Sequence, residues 1–330
     1  MIHLQKKKNR LLVILALLFF LGMMLSLFTG PAKTGWKHLL DLFSQKNSVH
    51  SAIFQIRLTR ALLAFLVGAS LSLSGAILQG YFQNPMAGPF VVGVSSGASF
   101  GAVLSIQLGL TFGLLGLSLQ SVFAFVSGFA IVYFVYLLSQ RGGIFKVETL
   151  LLTGIAAGAL ASALTSLLIF LKSDSYEQAV FWLLGSFHYA DWKQISTILP
   201  IFFLCFLIAQ SMAKDMNLLV LGDDTAQSLG CPVKKRRRTF LALSTLLAAS
   251  AVSVSGIIGF VGLIVPHWIR LIIGPNHRSL FFYSSFTGGI FLIFCDLMAR
   301  SLLFSSELPI GIFTAIIGAP FFIYLLSKTR

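Results

Sequence analysis

Acidic side chains are scarce in this sequence: ten Asp and Glu among 330 residues, against 24 Lys and Arg. All charged residues together make up 10% of the chain, where a soluble domain carries roughly a quarter. A shortage of that size excludes an ordinary water-soluble globule. Cysteine is nearly absent as well. Cys205, Cys231 and Cys295 are far apart, which gives neither a disulfide framework nor a zinc-ligand spacing. Cys205 and Cys295 lie in apolar runs and read as small core residues. The six histidines show no ligand spacing, and no nucleophile–base constellation supports an enzyme. Gly30 to Gly35 opens like a phosphate-binding loop, but Trp36 and Lys37 stand where Lys and Ser or Thr are required. The chain is therefore expected to bind no cofactor and no metal and to carry no ATPase.

What is abundant is apolar sequence. Hydrophobic residues make up 57% of the chain, the mean hydropathy is +0.90, and runs of about 20 apolar residues recur from end to end. The fold class is an all-α polytopic membrane protein, because the short alternating segments of a transmembrane barrel are missing. In such a chain the net charge of +14 reads as topology signals and contacts with lipid headgroups, not as nucleic-acid binding.

Lys6, Lys7, Lys8 and Arg10 precede the apolar run Leu11–Thr29. No small-x-small cleavage site follows, so this is a first membrane helix starting in the cytoplasm. Further helices are predicted over about 52–82, 90–108, 112–139, 150–171, 195–213, 239–257, a short eighth interrupted at Pro266, then 279–303 and 308–326. That makes about ten. Assigning sides by alternation puts 16 of the 24 basic residues inside and eight outside, with both termini cytoplasmic. A single transmembrane domain, 1–330, divides into a first helix and external loop (1–51), a first repeat (52–172), an external segment with the sixth helix (173–213), a cytoplasmic segment (214–238) and a second repeat (239–330).

The repeat is legible at a constant offset of 181. Arg57 matches Arg238, Ser74-Gly75 matches Ser255-Gly256, Pro85 matches Pro266 and Gly93 matches Gly274. The copies start on opposite sides, so helices 2–5 and 7–10 form an inverted repeat, an architecture of helical transporters with broken helices near the pathway. Gly93 and Gly97, like Gly154 and Gly158, are four apart and leave ridges on which a neighbouring helix packs closely.

Three groups of residues are candidates for function. Arg57 and Arg60 share a helical face at the outer start of the second helix, and Arg300 sits at the outer end of the ninth; they either snorkel to lipid phosphates or form a basic patch for an acidic soluble partner. Asp296, four residues before Arg300, reads as its helix-stabilising partner. Lys214–Arg238 combines Leu218, Leu221 and Gly222 with a short helix at Thr225–Leu229, capped by Asp223 or Asp224 and stopped by Gly230. Its apolar edge suggests a docking surface for a cytoplasmic protein, while its basic run reads as a topology signal. Gln79, Gln83 and Asn84 either line a path or bond to neighbouring helices. Ionisable groups in mid-helix are so few that an external energy source is favoured over coupling to protons or sodium. A stand-alone secondary transporter is the alternative.

Several motifs together carry a resemblance: Arg57-Leu-Thr-Arg60, Ser74-Gly-Ala-Ile-Leu-Gln-Gly80, Asn84-Pro85-Met86-Ala-Gly-Pro89 followed by Gly93-Val-Ser-Ser-Gly97, Leu218–Gly230, Gly259–Arg270 and Asp296-Leu-Met-Ala-Arg300. The chain resembles the FecCD-like permease subunits of ABC importers for iron–siderophores, haem and vitamin B12. The resemblance implies a second permease subunit around a central pathway and two cytoplasmic ATPases using ATP and Mg. It also implies an extracytoplasmic binding protein, a metal-chelate cargo and a prokaryotic cytoplasmic membrane. By the same resemblance, Arg57, Arg60 and Arg300 receive glutamates of the binding protein. Leu218, Leu221, Gly222, Asp223, Asp224, Thr225, Leu229 and Gly230 couple to the ATPase. Gln79, Asn84, Pro85 and Met86 close the pathway inside. Gly88 and Thr59 depart from the acidic residue and the Pro that the family often has.

Overall fold

The computed structural model describes residues 2–30, 49–110, 113–114, 117–140, 147–172, 175–302 and 307–328. In hydrocarbon no water is available to pair backbone groups, so apolar runs close their own hydrogen bonds as helices. The helices are α1 Ile2–Phe28 and α2 Val49–Tyr81, a 3-10 turn Pro89–Val92 with α3 Val94–Gln107, then α4 Leu119–Ser139, α5 Val147–Leu171, α6 Tyr176–Leu183 and α7 Trp192–Ser211. The short α8 Ala213–Leu219 and α9 Asp223–Ser228 follow. The second half holds α10 Val233–Ser255, α11 Val261–Ile273, α12 His277–Ser301 and α13 Ile310–Lys328. A two-residue antiparallel pairing of β1 Gly113–Leu114 with β2 Leu117–Ser118 precedes α4. That helix begins later than expected, because Ser118 caps it by accepting from the Ser121 amide. The external loop expected over 30–51 and the basic loop at Arg141 and Lys146 lie largely outside the described residues.

Among the described residues a helix stands at each expected place, and seven are by themselves long and apolar enough to span: α1, α2, α4, α5, α7, α10 and α12. The 14 residues of α3 and 13 of α11 reach about 20 Å at roughly 1.5 Å per residue, short of a hydrocarbon core of about 30 Å. The turn Pro89–Val92 before α3 and the stretch 256–260 before α11 supply the remaining length, since each helix joins segments at opposite ends of the bundle.

The bundle is built around α2. In its most apolar stretch 89% of the residues are buried, against 17% in α1. Lipid tails are as apolar as leucine, so such a helix is held by close packing and polar bonds instead of by exclusion from water. A Cβ added at Gly68 would lie 2.2 Å from the Gly288 carbonyl oxygen of α12, and one at Gly75 would lie 1.7 Å from the Gly262 carbonyl of α11. Between them Ser72 Oγ donates to the Ser284 carbonyl at 2.8 Å, and Ser74 Oγ donates to that of Ser244 in α10 at 2.8 Å. Backbone therefore rests on backbone along one seam.

The two halves show the same pattern of neighbours. α2 lies on α12 as α10 lies on α4, and α3 lies on α4 and α5 as α11 lies on α12 and α13. The constant offset of the sequence repeat does not persist past Gly256, however. Pro85 falls in the turn after α2, whereas Pro266 lies inside a continuous α11. The interruption expected at Pro266 is at 256–260 instead, where Gly256 and Phe260 have φ of +69° and +66°. Proline removes one helical donor, and the carbonyl it orphans, that of Gly262, is the one that faces Gly75. Adjacent to it, the Leu263 carbonyl accepts from Gln79 Nε2 at 3.0 Å. A break at Pro266 is unnecessary because α2 occupies the freed side of the helix.

The seam makes a direct prediction. Gly75→Ala forces backbone apart and is expected to cost at least about 3 kcal/mol, read as loss of detergent-stable protein in a melting assay. Gly259→Ala, which meets open space, is expected to stay within about 0.5 kcal/mol.

Candidate functional site

At the end of the bundle where α2 begins, Arg57, Arg60 and Arg300 converge, as their spacing suggested, but they are buried. Arg60 Nε lies 2.9 and 3.2 Å from the two Asp296 carboxylate oxygens, and its Nη1 donates to Glu307 Oε2 at 2.7 Å. Arg300 Nη2 donates to the Ser26 carbonyl at 2.8 Å and to its hydroxyl at 2.7 Å, with its Nε 3.6 Å from Asp296 Oδ2. Arg57 Nη1 donates to the Leu27 carbonyl at 2.8 Å. The open basic patch expected from sequence is not what the chain presents. In a low-dielectric setting each guanidinium needs partners, and the end of α1, Asp296 and Glu307 supply them. Arg60, from a different helix, approaches Asp296 more closely than Arg300 does; sequence spacing finds only partners on the same helix.

Glu307 forms the outer edge of this cluster, its side chain 32% exposed, and His188 Nδ1 lies 3.6 Å from it. Partial burial opposes its ionisation, but Arg60 outweighs burial and holds the carboxyl below its usual value. The Arg60–Glu307 link is therefore complete at neutral pH and is lost as pH falls through that lowered value.

Beside the cluster lies a cavity of about 880 Å3 bounded by Trp182, Tyr189, Gln194, Ser253, Ser255 and Glu307, among others. Its floor is the chain break after α10. There Ser186 N donates to the Ser255 carbonyl at 2.8 Å, and Ile310 N donates to that of Gly185 at 3.0 Å. Sequence reading missed this floor, since Ser253 to Gly256 was noticed only for its match to the first half.

At the opposite end α9 projects from the bundle, while α8 packs on it through Ala213, Met216 and Leu219. Leu221 and Leu229 are 62% and 60% exposed, Asp224 and Thr225 are exposed, and Leu218 is half-buried. α9 starts at Asp223 without the predicted side-chain cap, because that carboxylate is taken by Arg237. Arg237 Nε lies 2.9 and 3.0 Å from the Asp223 oxygens, and its Nη1 donates to the Tyr81 carbonyl, the last of α2, at 2.9 Å. Its guanidinium also sits 5.1 Å from the Tyr81 ring centre. Arg236 in turn reaches Asp215 at 2.8 Å. Two members of the basic run, read as a topology signal, are thus structural ties. Gly222 and Gly230 have φ of +106° and +82°, which only glycine adopts freely, and they bracket α9; Gly230 is the predicted stop.

The turn after α2 joins this end. Gln83 Nε2 donates to the Leu219 carbonyl at 2.8 Å, and Asn84 Oδ1 accepts from the Met86 amide at 2.9 Å. Gln79 is buried, while Asn84 and Pro85 are exposed and Met86 is half-buried. Gln79 and Gln83 both bond to neighbouring segments. Gln83 and Phe260 are the non-glycine residues with positive φ among those described, one at each chain break, a conformation that costs of order 1–3 kcal/mol. Gly93 has φ of +91°, Gly97 meets the Ser127 carbonyl of α4, and Gly154 and Gly158 face Val91 and Ser96 around the start of α3.

Comparison with known proteins places this arrangement. The model of the FecCD transport family matches residues 16–328. The cobalamin import system permease protein BtuC of Halobacterium salinarum is 43% identical over 82% of this chain and 72% of its own length. The iron(3+)-hydroxamate import system permease protein FhuG of Bacillus subtilis is 36% identical over 98% of this chain and 99% of its own. A solved inward-facing structure of a protein described as a metal-chelate type ABC transporter superposes with a TM-score of 0.86 at 36% identity, covering 97% of this chain and 99% of that one.

The arginine cluster predicts an asymmetry between its two carboxylates. Asp296→Asn leaves Arg60 and Arg300 buried beside a neutral amide and is expected to cost about 3–5 kcal/mol. Glu307→Gln, at the exposed edge, is expected to cost under about 1 kcal/mol. Thermal unfolding of both variants in detergent at pH 7 measures the difference, and at a pH below the Glu307 titration the effect of Glu307→Gln is expected to vanish.

Proposed function

The chain belongs to the FecCD transport family of ABC importer permeases, and from that premise we propose that it is one half of a dimeric, binding-protein-dependent importer of a metal chelate. One observation carries the proposal: an exposed apolar knob outside the bundle, Leu221 and Leu229, is tied through Asp223 and Arg237 to the last carbonyl of the central helix α2. A knob joined to the most buried helix converts movement of a docked protein into movement of the core.

In this reading two cytoplasmic ATPases seat α9 in a groove and bind ATP and Mg. Their closure pushes α9, and Arg237 passes the displacement to α2. The seam moves as one body, and the breaks at 82–88 and 256–260 absorb the change as alternating access proceeds. Gln79, Asn84, Pro85 and Met86 lie at the inner closure. The cavity above Ser253–Gly256 is the outer mouth of the pathway. The membrane is the prokaryotic cytoplasmic membrane, with both termini inside and the domain organised as two repeats around the 214–238 segment. The cargo class rests on the relatives, which carry cobalamin and a ferric hydroxamate.

Docking of the extracytoplasmic binding protein is proposed at Arg60, with Arg57 and Arg300 behind it. Because Glu307 already occupies the exposed side of Arg60, a carboxylate of the partner must replace it. Charge complementarity of this kind sets orientation and on-rate.

Leu221→Asp with Leu229→Asp tests the carrying observation. ATPase copurification is expected to fall at least about ten-fold and ATP-dependent uptake of a ferric hydroxamate into proteoliposomes to cease, with thermal stability of the permease unchanged. Undiminished copurification with undiminished uptake would remove the basis for the coupling role and favour a stand-alone transporter.

A further inference from the structure

A second cavity, of about 810 Å3, opens where the first turns of α1 and α12 meet the last turns of α7. It lies at the α8–α9 end, since His277 N, next to it, donates to Asn217 Oδ1 of α8 at 2.9 Å. None of its walls belongs to the arginine cluster, the knob or the pathway mouth. Its polar part includes Lys8, Arg278, Ser279 and Gln210, two of them cations, with no carboxylate among the lining residues.

The cations are held differently. Lys8 Nζ donates to Ser279 Oγ at 2.7 Å, and Tyr283 OH donates to the Lys8 carbonyl at 3.0 Å, which fixes the start of α1 against α12. An ammonium has three protons, so Lys8 keeps two for another acceptor. The Arg278 guanidinium is exposed and makes no hydrogen bond or ion pair with any described residue. Its position in the first turn of α12, after the cap Asn276, adds the positive end of a helix dipole.

The rest of the wall is apolar. Phe206 of α7 and Phe282 of α12 face each other with ring centres 6.4 Å apart, and Phe203 and Leu207 of α7 and Leu12, one turn after Lys8 on α1, are exposed. A soluble anion needs only the cations, and an acidic peptide has no use for a groove running into the hydrocarbon. The combination fits a molecule with a negative head and a greasy tail. We propose that this cavity binds an anionic phospholipid, its phosphate on Lys8 and Arg278 and an acyl chain along the Phe206–Phe282 wall. Basic pockets between helices at the cytoplasmic membrane face bind such headgroups, and the site would tether the moving α12 to the mobile lipid boundary.

The test is native mass spectrometry of the detergent-purified permease titrated with phosphatidylglycerol, phosphatidylcholine or inorganic phosphate. The wild-type chain is expected to retain phosphatidylglycerol at least about ten-fold better than phosphatidylcholine, and millimolar phosphate is expected to leave it in place. Lys8→Gln with Arg278→Gln is expected to weaken phosphatidylglycerol about thirty-fold, at roughly five- to six-fold per basic residue. Lys6→Gln with Lys7→Gln removes the same charge outside the cavity and is expected to leave retention within about three-fold. No preference for phosphatidylglycerol by the wild-type chain, displacement by free phosphate, or equal loss in the two double variants would each overturn the proposal. The wild-type measurement stands whether or not a variant folds.

Discussion

Backbone-to-backbone contact along α2 is the constraint on which the rest of the molecule depends. Inside a bilayer, burying another leucine gains little over leaving it in lipid, so a central helix must be gripped by shape and by polar bonds. Gly68 and Gly75 let the carbonyls of Gly288 and Gly262 come close enough to exclude a methyl group. Ser72 and Ser74 then bind carbonyls of α12 and α10. A helix locked to three neighbours in this way moves with them or not at all. Conformational change is pushed to the places that the seam does not reach, the turn after Tyr81 and the stretch from Gly256 to Phe260.

Electrostatics marks the two ends of that rigid unit, in different ways. At one end Asp296 lies between Arg60 and Arg300, deep enough that each charge is needed to justify the others. Only Glu307 at its edge remains free to exchange partners without leaving an ion stranded. At the other end the pair Asp223–Arg237 is half in water, and its value lies in geometry: a planar fork holds a carboxylate on one side and the end of α2 on the other. In the proposed mechanism the first cluster resists movement and the second transmits it.

Much of this was legible in the residues. Low charge and recurrent apolar runs gave the polytopic helical class, the Gly-x-x-x-Gly spacings gave the close approaches of α3, and Gly230 gave the stop of α9. What sequence periodicity could not supply was partnership across the fold. Asp296 was paired with Arg300 because both lie on one helix, and the nearer guanidinium comes from Arg60, 236 positions away. The arginines looked exposed because they sit at a helix end, and it took α1 and Glu307 to cover them. Pro266 was read as a break because proline usually is one; α2 sits against the side of the helix that proline leaves open. Length was a poorer guide, since α3 and α11, at 14 and 13 residues, join opposite ends of the bundle only together with the turns that precede them.

The central claim is that Arg237 carries displacement of α9 into α2. The most direct measurement is the number of ferric hydroxamate molecules taken up per ATP hydrolysed by the complete importer in proteoliposomes, comparing the wild-type chain with Arg237→Lys. Lysine keeps the charge but not the fork, so assembly and hydrolysis should persist while uptake per ATP falls at least about five-fold. An unchanged ratio of uptake to hydrolysis, with the ATPases bound as before, would contradict it.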